Sequence, residues 1–189
     1  MKQLVILPLV LSLSLVADLA GQAPSPVNPA VAPASNEKPK PLSSSDRTFV
    51  ANSVESVYLL LSLVDWQAHQ NITGAGTLDY VKAAGKDFNA FWAELVVLCN
   101  ANGLTVPTAL GGADKAKLAR LRRETGGRYE KELLEWISKE TRRLSSGLVA
   151  ASKTGGDPQF KQLAEKWAPV VKTQKESAEK AEKLVERAK

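Results

Sequence analysis

His69 follows Asp65 by four residues in the stretch VDWQAHQ, a spacing that sets an imidazole and a carboxylate on one face of a helix. It is the only histidine in the chain, so every two-histidine metal site is excluded and a single imidazole remains for proton transfer. Such a pair close to a helix end reads as a surface contact. Helical-bundle enzymes usually turn carboxylates and histidines inward as Glu-x-x-His, and this motif does not occur here. There is no glycine-rich phosphate loop, and one cysteine cannot build a cysteine-based metal motif. That cysteine, Cys99, falls on an apolar helix face and reads as a buried free thiol. Asn71-Ile72-Thr73 matches a glycosylation sequon, a pattern short enough to arise by chance. The chemistry open to the chain is therefore narrow. No cofactor and no catalytic activity are expected. The competing reading is a ligand- or metal-binding bundle of stress physiology using Asp87, Glu94, Glu140 and His69.

The densest charge runs through Lys115, Lys117, Arg120, Arg122, Arg123, Arg128 and Lys131. As a functional surface it would dock an anionic envelope polymer or lipid headgroup. Asp114, Glu124 and Glu130 interrupt it, and no aromatic residues are interleaved for stacking on bases, so nucleic acid is not an expected partner. A solvated helix face is the preferred reading. The formal net charge of +5 is spread along the helices in the same way.

The elements that must position these residues are helices throughout. SSSDR offers N-cap candidates, and Val50, Val54, Val57, Leu61, Val64 and Ala68 then recur in steps of three and four. A second helix is predicted from about Thr77, with Val81, Ala84, Phe88, Phe91, Leu95 and Leu98 as its stripe. Within it, KDFNAFWAEL could be a pocket wall or plain core. NGLTVPTALGG ends that helix. A short basic helix, ADKAKLARLRRET, follows and is expected to close at Gly126 and Gly127. The next long helix presents Leu134, Ile137, Thr141, Leu144, Leu148 and Ala151. Gly155 and Gly156 stop it, and Asp157-Pro158 has the cap-then-proline order that starts another. The last seam runs through Phe160, Leu163, Trp167, Val170, Gln174 and Ala181, with a kink expected at Pro169. Trp66, Trp92, Trp136 and Trp167, one per long helix, read as core filling. No segment competes as a strand. The fold class is all-α: a four-helix bundle with a short extra helix between the second and third long helices.

Ahead of this domain, MKQLVILPLVLSLSLVADLAGQA has a lysine, an apolar run and small residues, the order of a secretory signal. Residues 1–21 are expected to be a signal peptide, although Asp18 fits poorly in a cut after Ala20. Residues 22–44, rich in proline, alanine and serine, are expected to form a disordered tether, and residues 45–189 the bundle. This order implies export to the periplasm or cell envelope, with no transmembrane domain in the mature chain. The partner is left open between an envelope component and a second copy of the chain.

SSSDRTFV at the first helix, GLTVP after the second, and GGDPQFKQLAEKWAPVV before the prolyl position together resemble the bacterial exported family catalogued as domain of unknown function 4142. The likeness spans about Ser43 to Ala181. It implies a ferritin-like bundle of the kind often labelled outer-membrane or periplasmic protein. The family carries an Asp-His pair in its second helix, another in its third long helix, a Glu in helix one and a His after the prolyl position, which look like metal ligands. Here these positions fall at Asp87-Phe88, Glu140-Thr141, Leu60 and Gln174, with Glu55 as an alternative for helix one. The resemblance therefore implies a member that has lost this metal site. Phe88, Thr141, Gln174 and Leu60 or Leu61 would form a packed layer, with a hydrogen bond predicted from Gln174 to Thr141. The function expected is a non-catalytic structural or interaction protein of the envelope.

Overall fold

The seams of three and four spacing do form helices. The computed structural model describes residues 42–65 and 71–187, and among them helices are the only regular elements. These are α1 (Ser44–Val64), α2 (Ala75–Ala101), α3 (Gly112–Leu121), α4 (Gly126–Thr154) and α5 (Pro158–Arg187). The expected signal peptide, most of the expected tether, Trp66 and His69 lie outside the described residues. None of these helices is long and apolar enough to cross a membrane.

Four long helices and one short one, α3, make an all-α bundle. α1 packs on α2 and α4, and α5 packs on α2 and α4, so each long helix has two long neighbours. α3 leans on α4. The interior is filled by Val50, Val57, Leu60 and Leu63 of α1, Val81, Phe88, Phe91 and Leu95 of α2, Leu133, Leu134 and Ile137 of α4, and Phe160, Ala164 and Val171 of α5. Cys99 is buried, and burial pushes its thiol above the ordinary range. Trp136 and Trp167 are buried, while Trp92 is half-buried beside Tyr58 with ring centroids 5.5 Å apart.

The ends of the helices follow local chemistry. Ser43 Oγ accepts the Asp46 N–H at 3.1 Å and caps α1. Leu42 is buried against the core, so the domain begins inside the stretch expected to be tether. Gly103 takes φ 62°, and the Leu104 N–H reaches the Cys99 carbonyl at 2.9 Å. This left-handed glycine closure ends α2 and turns Leu104 back onto the core. Asp157 Oδ1 accepts the Phe160 N–H at 2.8 Å, with Pro158 in the first turn of α5, as the sequence predicts. Gly126 and Gly127 differ from expectation. α3 already ends at Leu121, and the two glycines open α4. Thr125 is extended and Gly126 sits at φ 58°, so this pair reverses the chain into a new helix. α5 continues through Pro169 to Arg187.

Candidate functional site

Of the positions that the resemblance equates with metal ligands, Leu60, Phe88, Glu140, Thr141 and Gln174 are interior, Asp87 is half-buried, and the alternative Glu55 is exposed. Leu60 and Thr141 are fully buried, Phe88 is 1% exposed and Gln174 7%. Phe88 and Leu60 belong to one continuous apolar core. Thr141 donates its hydroxyl to the Ile137 carbonyl at 2.8 Å, within its own helix. Gln174 Nε2 donates to Asp87 Oδ2 at 2.6 Å, joining α5 to α2. The predicted bond from Gln174 to Thr141 is therefore absent. A carboxylate is the stronger acceptor, and the carbonyl one turn back already takes the Thr141 hydrogen. Tyr80 adds a bond from its hydroxyl to the Gln174 carbonyl at 3.4 Å, and burial pushes that phenol far above its ordinary range. Leu60 and Phe88 offer no donor atom, Thr141 is satisfied by its own helix, and Gln174 gives its amide N–H to Asp87 while its Oε1 stays buried without a partner. One free amide oxygen beside a carboxylate that is already hydrogen-bonded is too small a donor set for a metal ion.

The competing ligand set is also dispersed. Glu94 accepts from Lys166 Nζ at 2.5 Å and from Trp167 Nε1 at 3.0 Å. Burial works to raise its carboxyl, but the bonds from Lys166 and Trp167 and the Lys166 charge outweigh it and hold it below the usual carboxylate range. Glu140 accepts from Arg143 Nε at 3.0 Å, and Arg143 also reaches Ser56 Oγ at 2.7 Å. Asp87, Glu94 and Glu140 thus serve three separate contacts, and His69 is outside the described residues. Among the described residues the one convergence of three acidic groups is Glu135, Glu182 and Glu186, at the surface. Lys131 already bridges Glu135 and Glu186 there, at 3.5 and 2.8 Å.

The basic segment divides. Arg120 pairs with Glu132, Arg128 with Glu124 at 3.2 Å, and Lys131 with the two glutamates just named. Lys117 Nζ lies 4.0 Å from the centre of the Trp136 ring. Burial lowers the affinity of that amine for its proton, and the Lys139 charge acts in the same direction. Lys115, Arg122 and Arg123 remain exposed, without a side-chain partner among the described residues. The run of seven cations is therefore no single anion-binding stripe.

Sequence reasoning missed Glu130, which it placed among the charges breaking up that stripe. Glu130 is 2% exposed. Its Oε1 accepts the Thr73 and Gly74 N–H groups at 2.9 and 2.8 Å and the Thr73 hydroxyl at 2.9 Å, and its Oε2 accepts the Thr77 hydroxyl at 2.6 Å. Gly74 supplies no side-chain cap to α2, so a carboxylate from α4 caps that helix instead. A Cβ on Gly74 would lie 2.5 Å from Glu130 Oε2, which is why glycine stands there. Burial alone would raise the Glu130 carboxyl, but the donated bonds prevail and its pKa is lowered. The available signal was its register, four residues before Leu134 on the apolar seam. The neighbouring sequon is committed as well. Asn71 Nδ2 donates to the Arg122 and Glu124 carbonyls at 3.3 and 3.0 Å, so the amide is used in packing α3.

Searches of curated proteins and of solved structures found no match. A family model described as Domain of unknown function (DUF4142) matches residues 31–181, and the chain belongs to that family.

Proposed function

We propose that this protein is a non-catalytic helical bundle of the cell envelope, acting through its surface as a structural or interaction protein, with an interior given over to packing. The observation that carries the reading is Phe88. It occupies the position where the resemblance places a histidine, and it is buried in the continuous apolar core. Burying such a side chain contributes about 1.5–3 kcal/mol, whereas an inward ligand left without its metal would cost stability. The partnered states of Asp87, Glu94 and Glu140 support the same reading, because each carboxylate already satisfies a neighbour.

The test is elemental analysis of untagged protein purified without chelator. Iron, manganese and zinc are expected well below one atom per chain, and adding each metal should leave the melting temperature unchanged. One tightly held atom per chain, or a melting temperature that rises with a metal, would overturn the reading. The envelope setting rests on the signal-like N-terminus. N-terminal sequencing of protein from a periplasmic extract should begin near residue 21 or 22. Recovery of the chain with Met1 intact from cytoplasm alone would remove that setting.

A further inference from the structure

The C-terminal end of α1 and one side of α3 border a recess of ≈ 420 Å³, whose lining includes Tyr58, Asp65, Leu110, Lys115, Leu118 and Arg122. Among the described residues, the side chains of Lys115, Arg122 and Asp65 form no ion pair and no hydrogen bond. The contrast with the same surface is informative, since Arg120, Arg128 and Lys131 are all held by glutamates. Two cations and a carboxylate thus border one recess without neutralising each other.

Lys115 and Arg122 stand seven residues apart, about 10 Å along the axis at 1.5 Å per residue. Side chains of their length can reach a shared anion from its two sides. A guanidinium fork matches two phosphate oxygens, and an ammonium adds a point charge. Asp65 rules against a simple dianion, which it would repel, and favours a ligand that also carries an ammonium group. Leu110 and Leu118 provide an apolar wall for the short carbon spacer between the two charges. The three protein groups sum to one positive charge. A phosphate monoester dianion bearing one ammonium sums to one negative charge, so the two are complementary.

We propose that this recess binds an ammonioalkyl phosphate, with the phosphate between Lys115 and Arg122 and the ammonium at Asp65. Phosphoethanolamine is the simplest ligand of this chemistry. The free monoester carries the net negative charge, whereas the same headgroup in a lipid is a phosphodiester of no net charge and would rely on the two separate contacts alone. The proposal is independent of what fills the bundle interior, so a metal found there would leave it standing.

Calorimetric titration of the full chain at low ionic strength tests it, with O-phosphoethanolamine, inorganic phosphate and ethanolamine as separate probes. Saturable binding of one O-phosphoethanolamine per chain is expected, with each half-ligand binding more weakly. Lys115→Gln and Arg122→Gln should each weaken O-phosphoethanolamine about tenfold, the loss expected for a charge-assisted contact. Asp65→Asn should weaken it too, yet leave inorganic phosphate equal or tighter. Arg123→Gln removes an unpaired cation that does not line the recess and should change nothing. All four side chains are exposed, so melting temperatures should hold. Flotation with phosphatidylethanolamine vesicles, lost in Lys115→Gln, would assign the lipid source. Headgroup binding without flotation would assign the soluble ester. The proposal fails if O-phosphoethanolamine does not bind, if inorganic phosphate binds equally and Asp65→Asn is neutral, or if Arg123→Gln costs as much as Arg122→Gln.

Discussion

Four donors converge on the Glu130 carboxylate, and two of them are backbone N–H groups at the start of α2. Truncating it would leave all four without their acceptor in a buried setting. Glu130→Ala is therefore expected to cost about 3 kcal/mol or more, and Glu130→Gln, which keeps one acceptor oxygen, about 1–2 kcal/mol. Urea unfolding monitored by circular dichroism measures both. The lowered pKa fixes the sign of the pH dependence. A carboxyl whose folded pKa lies below its unfolded value of about 4.5 stabilises the fold above that value, and loses the contribution as pH falls through the folded pKa. The stability gap between wild type and Glu130→Gln should accordingly be widest near neutrality and narrow below pH 4.5. A gap independent of pH would mean that the charge contributes nothing. Residues of this kind are the least legible in a sequence, because the partners of Glu130 lie 57 and 53 positions away. Phe88 was legible, since its packing role follows from its own type and its place in a local period. Gln174 was legible only as an inward polar group. Its choice of Asp87 over Thr141 depends on how α5 faces α2, which no local pattern encodes.

The helices themselves could be read from hydrophobic spacing, because burial of one face per helix dominates their stability. Their boundaries at Gly103 and Asp157 could be read too, since each closure uses residues within one turn. The misassigned pair, Gly126 and Gly127, is a case where type alone is ambiguous. Glycine at positive φ can close one helix or open the next, and the extended Thr125 decides between them. Gly147 shows a different use. A Cβ there would run into the Phe49 ring, which packs tilted against Phe160 with ring centroids 5.3 Å apart and joins the α4, α1 and α5 surfaces. Gly147→Ala raises helix propensity by about 1 kcal/mol yet must displace that ring, at about 1–3 kcal/mol for an overpacked contact. Net destabilisation of up to about 2 kcal/mol is expected in chemical denaturation. In a Phe49→Leu background, where the ring is gone, the same change should become neutral or stabilising. A stabilised Gly147→Ala in the wild-type background would show that Phe49 moves aside freely.

At the scale of the whole molecule, both ends of α4 are fastened by a carboxylate that accepts from backbone N–H groups. Glu130 ties the start of α4 to the segment that opens α2. Asp46, 5% exposed in the first turn of α1, accepts the Gly156 and Asp157 N–H groups at 3.1 and 3.2 Å, just past the end of α4. Each clamp joins elements that are distant in sequence, and the two are separated by most of a helix of 29 residues, about 40 Å. They share no side chain, so in a two-state bundle their energies should add. Asp46→Asn and Glu130→Gln combined should lower the unfolding free energy by the sum of the single effects, within about 0.5 kcal/mol. Equal dependence on urea concentration in all four proteins is part of that expectation, since a single cooperative unit exposes the same surface in each. A double variant that falls short of the sum while its urea dependence flattens would mean that one end opens before the other. The bundle would then be two cooperative halves divided along α4, with its connections rather than its core deciding how far each survives alone.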